Sequence, residues 1–453
     1  MKDLTTGSIP THVIQMAAPM AIGMLIQTLY FLVDLYFVAR LGDAAVAGVS
    51  LGGTVMYIVL GLTQMLGVGT VALISHAVGR KDQDDANLLF NQSLLLSCIC
   101  LGITLIGGYG LGGAYLASVG ADAATTREGL TYLHWYLPGL ALQFALVAMG
   151  SALRGTGIVK PTMVVQVLTL LINIVLAPVL IAGWGTGYAL GVAGAGLASS
   201  LSVAAGVVMM WVYFVRMEHY VSFRASQLRP RIETWKRMLA IGFPAGAEFA
   251  LMFVFMAVIY SVIAPFGAAA QAGFGIGGRV MQAVFLPAMA IAFATPAIAG
   301  QNFGARNPQR VRETFRVAAL MSSAVMFLLT LLCHWQPGWM ISRFTDEAEV
   351  IAVGTVFLQL ISLNFVAQGI IFTCSGMFQA LGNTWPALLS TAIRLLTFAL
   401  PVLWLSRRVD FRIEPVWYLS VATVALQAVI SFFLLRGQLR IRLAPLQAGG
   451  ANS

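Results

Sequence analysis

The chain has 453 residues, of which 59% are hydrophobic and only 9% charged. A soluble domain is roughly 25% charged, so this composition excludes a water-soluble globular protein. The net charge of +9 does not indicate nucleic-acid binding, because the basic residues lie in the short links between apolar runs.

A helix needs about 20 apolar residues to cross the hydrocarbon core of a bilayer. Twelve segments reach that length, at 14–38, 48–73, 88–111, 130–153, 161–183, 190–215, 239–264, 274–299, 314–336, 355–380, 386–406 and 416–436. The polar start MKDLTTGSIPTH has no cleavable leader pattern, and the first span is long enough to remain in the membrane. The fold class is therefore an all-α polytopic membrane protein of twelve transmembrane helices. Cys98, Cys100, Cys333 and Cys374 fall in or at the ends of apolar spans without metal-ligand spacing, and read as small packing residues.

The loops set the orientation. Eighteen Lys and Arg lie on the side that both termini share, and six on the other, which places both termini in the cytoplasm. The longest polar link, 216–238, is basic and lies mid-chain. It separates an N-terminal six-helix lobe (1–215) from a C-terminal one (239–453).

The chain repeats itself at an offset of 225 residues. Pro19, Gly42, Gly48, Gly52, Gly53, Gly79, Gln143, Gly157 and Pro161 recur as Pro244, Gly267, Gly273, Gly277, Gly278, Gly304, Gln368, Gly382 and Pro386. Gly113/Gly338 and Gly129/Gly354 add to the series, whereas chance alignment of the glycines would give about two such coincidences. Six spans per half give both halves the same topology, so the lobes form a parallel internal repeat, suited to rocking around a central cavity. Pro19, Pro244, Pro287, Pro296 and Pro401 lie inside spans, where proline removes a backbone hydrogen bond and kinks the helix; static packing accounts for them as well as hinging does.

No enzyme motif is present. The chain lacks GxSxG, HExxH and a Walker A lysine loop, so it is neither a hydrolase of those types nor a self-contained ATP-driven pump. It calls for no cofactor, no metal and no nucleic acid. An ion gradient then has to drive any transport, and this needs an ionisable or oxygen-rich site in the membrane.

Carboxylates at membrane depth are the candidates. A charge there costs roughly 2.5–3.5 kcal/mol on insertion scales, which makes each one a functional hypothesis. Asp34 lies in the first span, towards its outer third. Asn173 near mid-depth in span five and Ser199 in the outer half of span six complete one expected polar site, which would hold a proton on Asp34 or a sodium ion on hard oxygens. An Asp capped only by helix–helix hydrogen bonds is the structural alternative. In the second half Glu248 (span seven) and Arg394 (span eleven) sit at matching depth. They are expected either to pair with one another or to serve substrate or coupling. The two acids are not repeat partners, since Asp34 corresponds to Ile259 and Glu248 to Gly23.

The stretches AAPMAIGMLIQTLYFLVDLYFVARLG, LRGTGIVKPTM, GVAGAGLASSLS, GFPAGAEFALMF, FLPAMAIAFATPAIAGQNFGARNPQRV and FQALGNTWPALL together resemble the multidrug and toxic compound extrusion (MATE) family over nearly the whole chain. The resemblance implies a V-shaped pair of six-helix lobes and export of cationic, hydrophobic compounds in exchange for H⁺ or Na⁺. It implies that Asp34, Asn173 and Ser199 form the cation site of the N-terminal lobe. The family often has a second Asp four residues after the Asn, but here that position is Ala177, which favours H⁺ over Na⁺. Glu248 matches a functional acid of some members, whereas their partner acid in span ten is missing from FTCSGMFQALG. The expected partners are small cationic or amphipathic substrates, H⁺ or Na⁺ and the lipid bilayer, for a monomer in the bacterial inner membrane. The other readings are a flippase for a lipid-linked or amphipathic metabolite and, more remotely, a membrane-embedded enzyme or structural protein.

Overall fold

The computed structural model describes residues 1–118, 122–408 and 410–448. The expectation of a C-terminal lobe over 239–453 therefore includes residues 409 and 449–453, which lie outside the described residues. All regular structure among the described residues is helical. The first half contains α1 (Ile9–Val38), α2 (Asp43–Gly79), α3 (Gln83–Ser118), α4 (Ala123–Gly155), α5 (Lys160–Ala182) and α6 (Val192–Arg216). The second contains α7 (Ile232–Ile263), α8 (Ala268–Gly304), α9 (Pro308–Trp335), the short α10 (Pro337–Ser342), α11 (Ala348–Ile361), α12 (Phe365–Ala380), α13 (Trp385–Leu405) and α14 (Glu414–Ala448).

Among the described residues twelve helices are long and apolar enough to cross a membrane, with α11 and α12 forming one span across a 3₁₀ turn at Ser362–Asn364. Several run well beyond the apolar segments seen in the sequence. Thus α2 extends over 43–79, against an apolar core of 48–73. Hydropathy marks the part that lies in hydrocarbon, whereas the hydrogen-bond ladder continues until a capping or turn residue stops it.

The chain divides into two compact units: Met1–Lys2 with Ile22–Gly242, and Asp3–Ala21 with Phe243–Ser453. Inside each unit the 225-residue repeat is a structural one. The helices α2 and α8 are both 37 residues long, and each follows a 3₁₀ turn and a glycine at positive φ, Gly42 (108°) and Gly267 (90°). Both end in a tight turn that puts a non-glycine residue in the left-handed region, Lys81 (φ 62°) and Arg306 (φ 56°). The strain is held by matching hydrogen bonds at the helix ends: Asp82 N–H donates to Ala77 at 3.0 Å, and Asn307 N–H to Asn302 at 2.9 Å.

Helix crossings repeat too. A Cβ built on Gly48 of α2 would lie 2.6 Å from the backbone N of Gly129 in α4, and one on Gly273 of α8 would lie 3.0 Å from that of Gly354 in α11. Only glycine pairs let the backbones come this close, as small residues do at membrane-helix interfaces. One turn on, Gly52 packs against the Tyr132 ring. At the matching place Gly277 packs against Phe357.

The units differ where α4 has its counterpart. The first unit has one unbroken helix, and the second has α11 and α12. The break at Ser362 is fixed by Ser362 Oγ at 2.9 Å from His334 Nδ1 and by Thr330 Oγ1, which donates to the Ser362 carbonyl at 3.0 Å.

The mid-chain link is strapped to α3 by three buried side-chain amides. Asn87 donates to the Tyr220 carbonyl (3.1 Å) and accepts from Ser222 N–H (2.8 Å). Asn91 donates to the Ser222 carbonyl (2.9 Å) and accepts from Arg224 N–H (3.0 Å). Gln92 donates to the Arg229 carbonyl (2.8 Å) and accepts from Arg231 N–H (3.0 Å). These amides hold an irregular backbone in place by satisfying its polar groups.

Candidate cation site

Asp34 stands four residues before the end of α1, with its side chain directed towards α5 and α6. It is only 8% exposed, while Asn173 of α5 and Ser199 of α6 are fully buried. The three residues singled out from the sequence come together. Ser199 Oγ donates to Asp34 Oδ2 at 2.6 Å, a short charge-assisted bond, and Asn173 faces the same carboxylate. Oδ1 of Asp34 and Oδ1 of Asn173 are both buried and accept no hydrogen bond from the protein. Two bare oxygens from neighbouring helices are the means by which such a site takes a proton or a hard cation.

Tyr30 completes the cluster and was not singled out in the sequence. It lies four residues before Asp34, on the same face of α1. Its hydroxyl accepts from Asn173 Nδ2 at 3.2 Å and donates to the Ser199 carbonyl at 3.4 Å. The i, i+4 spacing from an intramembrane acid was the available signal. Above the site, Val38, Val49, Tyr132, Ala177, Ile181 and Val192 form an apolar cap. Ala177, where the resemblance leads one to look for a second Asp, is fully buried in this cap.

The second unit carries none of this chemistry at the equivalent positions. Tyr30, Asp34, Tyr132, Asn173 and Ser199 correspond to Phe255, Ile259, Phe357, Phe398 and Val424. All but Val424 belong to one aromatic core, in which Phe274 stacks on Trp417 (5.6 Å between centroids) and Phe357 meets Trp417 edge-on (4.8 Å). The same scaffold holds a polar site in one unit and a packed apolar core in the other.

The expected ion pair between Glu248 and Arg394 is not formed; no ion pair within 4.0 Å joins them among the described residues. Glu248 of α7 accepts from Thr391 Oγ1 of α13 at 3.1 Å, and Thr391 accepts from Gln427 Nε2 of α14 at 3.2 Å. Arg394, one turn beyond Thr391, extends instead over the ring of Phe255, with its guanidinium carbon 4.5 Å from the centroid. Equal depth brought the two helix segments level, but the rotamers point the side chains to different neighbours.

The MatE family model matches residues 19–179 and again residues 244–405, so the two matches begin 225 residues apart and together cover most of the chain. The chain belongs to the MatE family. Among its relatives, the multidrug export protein MepA of Staphylococcus aureus (strain MSSA476) is 28% identical over 443 residues, with 95% of each chain covered. A multidrug resistance MATE family transporter of the MOP superfamily, solved in an outward-facing conformation, superposes with a TM-score of 0.90 at 25% identity and 98% coverage of each chain. A MOP superfamily transporter from Pyrococcus furiosus Vc1 (DSM3638), described as having a binding pocket of reverse polarity that suggests a different function, superposes with a TM-score of 0.86 at 25% identity and 98% coverage of each chain. The all-helical twelve-span architecture is that of these MatE relatives.

Proposed function

We propose that this MatE protein is an H⁺-coupled antiporter that exports hydrophobic, often cationic compounds by alternating access. The observation that carries the coupling is the buried Asp34 carboxylate, held on one oxygen by Ser199 and bare on the other beside the bare amide oxygen of Asn173. A single carboxylate among neutral groups can accept and release one proton. The lack of a second acid at Ala177 leaves a sodium ion short of hard, charged ligands, which supports H⁺ over Na⁺. The export reading is supported by the relatives named for multidrug export. The distribution of Lys and Arg supports both termini on the cytoplasmic side of a bacterial inner membrane.

The test is efflux of ethidium from proteoliposomes under separate pH and Na⁺ gradients, with wild type and Asp34→Asn. The expected result is efflux with a pH gradient alone in the wild type and at least a tenfold loss in the variant. Undiminished transport by Asp34→Asn would falsify the coupling assignment, and efflux driven by Na⁺ alone would overturn the preference for protons.

A further inference from the structure

The first unit has a cavity that the Asp34 site does not use. It lies where α3 ends and α4 begins, has a volume of about 600 Å³, and is lined by Ala117 of α3 and by Thr126, Arg127, Leu130, Thr131 and His134 of α4. Arg127, Leu130, Thr131 and His134 follow the i, i+3, i+4, i+7 spacing of one helix face. On α3, Gly110 and Gly113 lie seven and four residues before Ala117, and so on the same side of that helix. A Cβ built on either glycine would meet nothing within 4 Å. Open space therefore runs from Ala117 down α3 for roughly 10 Å. The neighbouring Gly112 and Gly108 meet Leu133 and Leu137 of α4, which sets this groove level with the turn that carries Thr131 and His134.

The polar groups sit at graded depth. Arg127 is exposed, and no carboxylate lies within 4.0 Å of it among the described residues. Three other arginines at the same ends of their helices, Arg40, Arg343 and Arg408, cover the ring four residues earlier, Tyr36, Trp339 and Trp404. Arg127 has Ala123 at that place, so its fork is left open beside the cavity. Further in, Pro138 cannot donate to the His134 carbonyl, and the Tyr109 hydroxyl does so instead at 2.9 Å. The Tyr109 and His134 rings are 5.6 Å apart, and the imidazole nitrogens make no hydrogen bond to the protein among the described residues.

The repeated scaffold does not produce this arrangement by itself. In the second unit Arg127, His134 and Gly110 correspond to Ala352, Gln359 and the exposed Trp335. The counterpart of α3 also stops at Trp335, where α9 gives way to α10, and a Cβ on Gly338, the copy of Gly113, would touch Thr355 Oγ1 at 3.5 Å. The cation, the imidazole and the open groove are all particular to the first unit. Their order matches one molecule of the surrounding bilayer. The apolar part of α4 starts at about residue 130 and that of α3 stops at about 111, which puts Arg127 at the polar edge and the glycine groove at the start of the hydrocarbon. A phospholipid presents its phosphate at that edge, its ester carbonyls just below and its chains beneath them.

We propose that the α3–α4 cavity is a binding site for an anionic phospholipid of the adjoining leaflet, which is the outer one in the orientation argued above. Arg127 takes the phosphate through its fork, His134 offers a donor at the level of the ester carbonyls, and one acyl chain lies over Gly113 and Gly110.

The test is a native mass spectrometry titration of the delipidated full-length protein in detergent, reading the first lipid bound. The probes are dioleoylphosphatidylglycerol, dioleoylglycerol, which has the same chains and no phosphate, and inorganic phosphate as competitor. Arg127→Gln is expected to weaken the first phosphatidylglycerol about tenfold, the scale of one lost charge-assisted contact, and to leave dioleoylglycerol within about twofold. That unaltered binding also reports that the variant is folded. Gly110→Trp, which installs the residue of the second unit, is expected to weaken both lipids about threefold or more by filling the groove. Equal phosphatidylglycerol binding by wild type and Arg127→Gln would overturn the proposal, and so would an equal loss of both lipids in that variant. Undiminished binding of both lipids by Gly110→Trp would remove the acyl groove. Displacement of phosphatidylglycerol by millimolar inorganic phosphate would make the cavity a site for a free anion instead of a lipid.

Discussion

The crossing of α2 and α4 can be tested against its own repeat copy. Alanine at Gly48 would place a methyl group 2.6 Å from Gly129 N and 2.9 Å from both the Thr125 carbonyl oxygen and Glu128 Cβ. Ordinary contacts of this kind are about 3.5–4.0 Å, so the helices would have to separate by roughly 1 Å. Two of the three obstacles are backbone atoms of a continuous helix, and no rotamer change relieves them. In the copy, alanine at Gly273 would meet Gly354 N, Val353 Cβ and Val353 Cγ1, each at 3.0 Å, which needs about half that movement. Overpacking of this kind costs typically 1–3 kcal/mol, so Gly48→Ala belongs near the top of the range and Gly273→Ala near the bottom. Because α4 carries Tyr132 of the cap over the Asp34 site, Gly48→Ala should also lower transport. Thermal unfolding of the detergent-solubilised protein, followed by tryptophan fluorescence, is expected to show a fall in Tm for both variants, larger for Gly48→Ala. Equal melting curves, or a larger loss for Gly273→Ala, would refute the account of the crossing.

Two further predictions concern the ends of helices. Replacing the fully buried Asn87 by Ala removes its bonds to Tyr220 and Ser222; the Tyr220 carbonyl keeps Gln83 Nε2 at 3.0 Å, but the Ser222 N–H loses its acceptor, at about 1–3 kcal/mol. Trypsin should then cut the link at Arg224 or Arg229 faster than in wild type, and equal cleavage rates would count against the strap. Asp122 caps α4 by accepting from Thr125 N–H at 2.6 Å, and these bonds hold its carboxyl below the usual carboxylate range. A lowered folded-state pKa means that the cap's contribution is complete above the ordinary carboxylate range and is lost as pH falls through the lowered value. Hydrogen exchange at the first turn of α4 should therefore accelerate, relative to its intrinsic rate, at acid pH in wild type and show no such dependence in Asp122→Ala.

Much of this protein is legible in one dimension. Span number, the repeat and the depth of Asp34 follow from apolar length, glycine spacing and the rise of a helix, and none of these depends on which way a helix faces. The grouping of Asp34, Asn173 and Ser199 was also open to view from the depths of three polar residues in the spans of one half, and the family resemblance pointed to the same three. Azimuth and rotamer could be fixed only by packing. Glu248 and Arg394 are level in depth, yet Glu248 bonds Thr391 and Arg394 lies over Phe255 because neighbouring helices offer those partners first. Tyr30 joined the site because α1 turns its face towards α5 and α6. The fate of the repeat was decided in the same way: Ile259, Phe357, Phe398 and Trp417 close an apolar core in the second unit, where smaller and polar residues hold the Asp34 site and its cap in the first. Periodicity specifies a helix and its level in the membrane, and only the assembled bundle specifies which side chains meet.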